Sequence, residues 1–135
     1  MKLLADTQAI YWYLAKPAKL SDKALRLLTK AEADGIIIAS ALTIPELWMA
    51  TTRKSGRRAI PREGYLAVQA ALLDPASTIA IEPVTPALWG HFEDLSSQLN
   101  DPFDALIVAT ALNLGVSLVT ADQSITAAGV VDVIW

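Results

Sequence analysis

Four carboxylates carry the most chemistry in this sequence: Asp6, Glu46, Asp104 and Asp122. Carboxylate oxygens are hard ligands, suited to Mg²⁺ or Mn²⁺. A metal held this way polarises a phosphate oxygen and activates a water for in-line attack. Few other chemistries are open. The chain has no cysteine, which removes disulfides, thiolate zinc sites and cysteine nucleophiles. Its one histidine, His91, excludes multi-histidine metal sites. His91 stands beside Glu93 and Asp94 within a helical pattern and reads as a surface residue. With no Ser–His–acid arrangement in view, nucleophilic hydrolase chemistry has little support.

The elements that must position these acids follow from periodicity. Lys2–Ala5 is a short apolar strand, and Thr7–Lys16 a helix stopped by Pro17. Ser21 caps a second helix through Ala33, with Gly35 beyond its end. Ile36–Ala39 is a β-branched run without alternation, as expected for a strand buried on both faces. Thr43 is expected to cap the next helix, with Pro45 in its first turn. Pro61–Leu73 is helical, Thr78–Ile81 a strand, and Thr85–Leu99 a helix led by Pro86. Asp101-Pro102 opens a helix to Leu114, closed by Gly115. Val116–Thr120 is a strand, Gln123–Ala128 a short helix and Val131–Ile134 a last strand. Strands alternating with helices imply an α/β domain, residues 1–135, with a parallel sheet covered on both faces. At 135 residues the chain is one domain's worth, and 53% hydrophobic against 19% charged residues is a globular balance.

Chain direction places the acids. Asp6 directly follows the first strand, Glu46 lies in the first turn after the second, and Asp122 lies two residues past the fourth. All three share the carboxyl edge, where such sheets bind ligands. The helix of residues 101–114 runs ~21 Å against ~17 Å for a five-residue strand, so it returns the full height of the sheet and sets Asp104 over the same edge. No Lys or Arg is near these acids in sequence. Left alone they would repel and be pushed toward protonation, and a divalent cation resolves this. Each acid also has an ordinary reading. Glu46 completes a capping box with Thr43. Asp101 caps its helix with Asp104 meeting the dipole, and Asp122 serves a turn. Four independent caps have no reason to share one edge.

Charge is distributed unevenly. All eleven Lys and Arg stand at or before Arg62, against five acids there, while residues 63–135 hold nine acids. A nucleic-acid partner would be gripped by the first part. Arg53, Lys54, Arg57, Arg58 and Arg62, around Gly56, form a candidate phosphate clamp. Lys19, Lys23, Arg26 and Lys30 line one helix face and read as a solvated stripe. Tyr11, Trp12, Tyr13, Trp48 and Trp89 read as core or dimer contacts, with base stacking the lesser reading. No apolar run approaches the ~20 residues that cross a bilayer. Met1–Ala5 is too short for a signal-peptide core, so the expectation is a cytoplasmic protein.

These residues resemble a known family. Leu3-Leu4-Ala5-Asp6-Thr7, Ala39-Ser40 through Pro45-Glu46-Leu47-Trp48, Asp101-Pro102-Phe103-Asp104-Ala105 through Ala111, Leu118-Val119-Thr120-Ala121-Asp122 and the final Val133-Ile134-Trp135 resemble, in order and spacing, the PIN domain and within it the VapC-type ribonuclease toxins of toxin–antitoxin pairs. The resemblance implies a three-layer PIN-like fold with a five-stranded parallel sheet, Mg²⁺ or Mn²⁺, and endonucleolytic cleavage of RNA. It implies Asp6, Glu46, Asp104 and Asp122 as the catalytic and metal-holding set, with Thr7, Asp101 and Thr120 supporting it. It further implies a homodimer and a small cognate antitoxin. The sequence departs where many relatives place Arg after the second Asp of Asp-Pro-Phe-Asp and often a basic pair before it: Ala105 and Leu99-Asn100 stand there. Two rivals are a non-catalytic PIN-like binding module and a receiver-type phospho-signalling domain. The latter needs a Lys near the last strand, and no Lys follows Lys54.

Overall fold

The computed structural model describes residues 1–53 and 59–135. Its elements run β1 (Lys2–Ala5), α1 (Thr7–Ala15), a 3₁₀ turn (Pro17–Lys19), α2 (Asp22–Asp34), β2 (Ile36–Ser40), α3 (Thr43–Thr51), α4 (Arg62–Leu73) and β3 (Ile79–Glu82). A second 3₁₀ turn (Pro86–Leu88) leads to α5 (Trp89–Ser96), α6 (Pro102–Leu114), β4 (Ser117–Val119), α7 (Gln123–Ala128) and β5 (Val133–Ile134). The five strands are all parallel, in the order β3-β2-β1-β4-β5. Register aligns Leu4 of β1 with Ile38 of β2 and with Leu118 of β4.

Both faces of this sheet are covered, which explains why its strands read as unbroken apolar runs. Side chains still alternate. Leu3, Ala5, Ile37, Ala39 and Val119 pack with α1–α4. Leu4, Ile38 and Leu118 pack with α5, α6 and α7. Leu4, on the central strand, is fully buried, and trimming such a leucine to alanine costs about 2–5 kcal/mol.

Helix ends obey local chemistry. Ser21 accepts from the Ala24 N–H at 3.1 Å and starts α2. Gly115, at φ 66°, closes α6 in the left-handed conformation that glycine adopts without a Cβ clash. Gly35 ends α2 for a different reason, a close approach. A Cβ there would lie 2.0 Å from the Met1 carbonyl oxygen, which accepts the Ile36 N–H that begins the β1–β2 pairing.

Two expectations are corrected. Thr43 is the first residue of α3 and not its cap: Leu42 takes that place without a side-chain bond. The Ser40 hydroxyl accepts the Leu42 N–H and turns the chain one residue early, leaving Thr43 fully buried with its Oγ1 unpartnered. The stretch Thr85–Leu99 is a 3₁₀ turn followed by a helix ending at Ser96. There the Ser96 and Ser97 hydroxyls bond back to the carbonyls of Glu93 and Asp94, which competes with continued helix. Of the aromatics expected in the core or at a dimer contact, Trp48 and Trp89 are 43% and 48% exposed, which leaves them outside the core. Of the remaining aromatics, Tyr11 is buried, whereas Trp12 and Tyr13 pack at the edge of the core. Among the described residues no helix is long and apolar enough to cross a membrane.

Candidate active site

Strand order puts β2 and β3 on one side of β1, and β4 and β5 on the other. The reversal falls between β1 and β4, and the crevice beyond their carboxyl ends is where open parallel sheets receive ligands. Asp6 leaves β1 at that point, and its N–H continues the ladder to the Val119 carbonyl at 3.0 Å. Thr120 leaves β4 beside it. A cleft of about 630 Å³ opens here, and Asp6, Glu46, Asp104 and Asp122 all line it. Asp6, Glu46 and Asp122 reach it from the loops and helix that leave β1, β2 and β4. Asp104 comes from the first turn of α6, whose 13 residues span ~20 Å. That helix belongs to the opposite layer.

Hydroxyl groups orient the acids. The buried Thr120 donates its hydroxyl to Asp6 Oδ2, and Thr120 Oγ1 in turn accepts the Asp122 N–H at 3.0 Å. Thr7 donates to Glu46 Oε1 at 2.6 Å. Capping duties coexist with this. Asp6 Oδ1 accepts the Ala9 N–H at 2.7 Å at the start of α1. Asp122 Oδ1 accepts from the Ser124 N–H at 2.8 Å and the Ser124 hydroxyl at 2.6 Å. Asp101 caps α6 through the Phe103 N–H at 2.8 Å. The ordinary roles weighed for Asp122 and Asp101 are thus present, while the Thr43–Glu46 box is not, since Thr43 caps nothing.

The donor set suits a hard divalent cation. Glu46, Asp101 and Asp104 offer carboxylate oxygens within 4.8 Å of one another. Oxygens on opposite sides of one Mg²⁺ lie about 4.2 Å apart, so small side-chain adjustments would let them share an ion. This trio includes Asp101, which was expected to play only a supporting part. Asp6 and Asp122 border the same cleft without joining the tightest trio.

Basic residues are present at the cleft, contrary to the impression left by sequence distance. Lys19 and Arg53 both line it. Lys19 was grouped with the solvated stripe of α2. It sits instead on the 3₁₀ turn between α1 and α2, whereas Lys23, Arg26 and Lys30 are exposed along α2, Lys30 pairing with Asp34 at 2.8 Å. Ala105, directly after Asp104, is fully buried in the core on the α5–α7 side of the sheet. Of the expected clamp, Arg53 reaches the cleft, and Arg62 lies over the Trp48 ring at 5.6 Å and does not line it. Lys54, Arg57 and Arg58 lie outside the described residues. His91, half-buried on α5, takes no part in the cleft lining. Sequence reading did not single out Lys19, Ser124 or Trp135 as part of this site.

Fold and cleft together define a three-layer α/β protein with an acidic site at its topological switch point. The family model of the PIN domain matches residues 3–130. Ribonuclease VapC22 of Mycobacterium tuberculosis is 31% identical over 121 residues, spanning 90% of this chain and 87% of its own length. VapBC2 of Rickettsia felis, solved bound to a DNA fragment from its promoter, is similar with a TM-score of 0.70 at 14% identity, over 98% of this chain and 97% of that one. VapC20 of M. tuberculosis, a sarcin-ricin-loop-cleaving toxin, is similar with a TM-score of 0.69 at 18% identity, over 98% of this chain and 99% of that one. This chain belongs to the PIN domain family.

Proposed function

We propose that this protein is a Mg²⁺- or Mn²⁺-dependent endoribonuclease and the toxin of a toxin–antitoxin pair. The observation that carries the reading is the meeting of Asp6, Glu46, Asp104 and Asp122, drawn from both helical layers, on one cleft. The ribonuclease relative supports the substrate, and the toxin–antitoxin neighbours support a small protein antitoxin as partner. In this reading Asp6, Glu46, Asp104 and Asp122 would hold the metal, assisted by Asp101, whose carboxylate stands beside those of Glu46 and Asp104. The bound metal supplies a polarised phosphate and an activated water. The chain's own residues do the rest. Thr120 and Thr7 fix the rotamers of Asp6 and Glu46, so the carboxylates need no reorganisation when substrate arrives. Lys19 and Arg53 attract the phosphate backbone to an otherwise acidic cleft. Exposed Trp48, Met49, Leu66 and Leu73 on α3 and α4 are the surface assigned to a homodimer or to the antitoxin.

The test is RNA cleavage with Mg²⁺ or Mn²⁺ by the wild type and by Asp6→Asn and Asp104→Asn. Cleavage should fall roughly 100-fold or more in each variant while circular dichroism stays native. Cleavage that persists in EDTA, or equal rates in all three proteins, overturns the metal mechanism. RNA binding without cleavage in either metal would instead favour a non-catalytic PIN-like module.

A further inference from the structure

The cleft holds one feature that metal chemistry does not require. Trp12 and Trp135 line it together with Lys19 and the acids. Trp135 follows β5, where the Thr120 N–H donates to the Ile134 carbonyl at 3.3 Å. Carrying the Val119↔Ile134 register one step further sets Trp135 beside Thr120, the residue that orients Asp6. Trp12 lies on α1, about 9 Å along the helix axis from Asp6. The two indoles touch at a centroid separation of 5.7 Å and a tilt of 45°. A flat ring inserted between two others needs about 7 Å, so this pair is not a slot. Trp12 packs against the core, whereas Trp135 remains 37% exposed. Trp135 is therefore braced on one side by Trp12 while part of it stays open to solvent.

Other exposed indoles are placed differently. Trp48 carries Arg62 over its ring and Trp89 has the edge of Phe92, and neither lines the cleft. At Trp135 an apolar π-face, the acids and the cations Lys19 and Arg53 share one wall-to-wall space. That combination matches a nucleotide: a planar base with a phosphate on each side. An apolar peptide side chain would match the indole but not the paired cations.

We propose that the open face of Trp135, braced by Trp12, stacks one nucleobase of single-stranded RNA held in the cleft, fixing which phosphate lies beside the acids. The inference rests on the ribonucleolytic reading of the same cleft. Trp135 is here a positioning residue.

The test measures binding of a labelled hexanucleotide RNA by fluorescence anisotropy. It uses an Asp104→Asn background, so that the strand stays intact. One abasic nucleotide is moved through the six positions. Trp135→Leu should weaken binding of the intact strand by about 5- to 100-fold. At one position the abasic strand should bind as weakly to the Trp135 protein, and Trp135→Leu should then cost nothing more. Trp135→Phe should retain most of the affinity. Should Trp135→Leu fail to fold, emission supplies the second readout. With Trp48→Phe and Trp89→Phe in place, the remaining indole fluorescence should be quenched by the intact strand and not by inorganic phosphate. Unchanged affinity in Trp135→Leu overturns the platform. So does an equal loss for intact and abasic strands at every position, or an absence of quenching. The two readings fail separately. Coupling without wild-type cleavage removes the ribonuclease and keeps the platform, while cleavage with an unchanged KM in Trp135→Leu removes the platform alone.

Discussion

Thr120 is the residue on which the acidic edge turns. Its hydroxyl donates to Asp6 and accepts from the Asp122 N–H, so one buried oxygen ties the ends of β1 and β4 together. Valine has the same shape and neither bond. Thr120→Val should therefore destabilise the fold by about 1–3 kcal/mol, because the Asp122 N–H and an Asp6 oxygen each lose a partner. RNA cleavage should fall by more than that loss of folded protein explains, as Asp6 gains rotamer freedom. Urea unfolding and cleavage at full folding measure the two effects separately, and Thr120→Ser should restore both. A valine variant with normal cleavage would show that the hydroxyl has no part in orienting Asp6. The shared edge of the four acids was readable from sequence because each sits within three residues of the end of a recognisable element. The Thr7–Glu46 bond was not readable, since its partners are 39 residues apart and meet only after β1 and β2 have paired.

At the scale of elements, Glu32 on α2 ties two neighbours together. It accepts from the Tyr13 hydroxyl on α1 and from Thr78 ahead of β3 at 2.9 Å. Burial, followed by the Glu32 bond and charge, pushes the Tyr13 phenol up to about 12 from its usual 10. A raised folded-state value means the contribution to stability is complete below pH 10 and is lost as pH rises through about 12. Burial also raises Tyr11, with the same sign. Urea midpoints between pH 9.5 and 12 should therefore fall steadily, and Tyr13→Phe should flatten that fall without abolishing it. An identical slope in the variant would mean that Glu32 does not hold Tyr13 in solution. A second element-scale test concerns the α2–β2 junction. Gly35→Ala forces a Cβ against the Met1 carbonyl at 2.0 Å, and a shift of the β1 start should cost about 1–3 kcal/mol in thermal unfolding. Retained wild-type stability would show that Met1 yields freely. The glycine was legible in sequence as a helix stop. Its actual reason, a close approach to the Met1 carbonyl 34 residues away, was not.

For the whole molecule, the uneven charge acquires a location. Basic residues crowd the first part of the sequence, and among the described residues Lys19 and Arg53 line a cleft rich in carboxylates. Each phosphate contact made by such a cation contributes about 0.7 to the slope of log affinity against log salt for a single strand. Replacing Lys19 and Arg53 together by alanine should weaken RNA binding and lower that slope by about 1.4. Binding titrations between 50 and 200 mM salt would measure it, and an unchanged slope would remove both residues from the RNA path. Lys54, Arg57 and Arg58 can be neutralised in the same assay to ask whether they add to it.

Sequence alone determined the alternation of strands and helices, the parallel sheet, and the edge to which Asp6, Glu46, Asp104 and Asp122 belong. These follow from local propensity, from chain direction, and from a helix long enough to return the height of a strand, all of which are one-dimensional quantities. Tertiary structure decided strand order, and with it the crevice between β1 and β4. It also decided that Asp101 stands with Glu46 and Asp104, that Lys19 leaves the solvated stripe, and that Trp135 meets Trp12 at the cleft. Each of these joins residues from elements that are distant in sequence. Their meeting depends on register and on which face of the sheet a helix covers, quantities that exist only once the layers have packed.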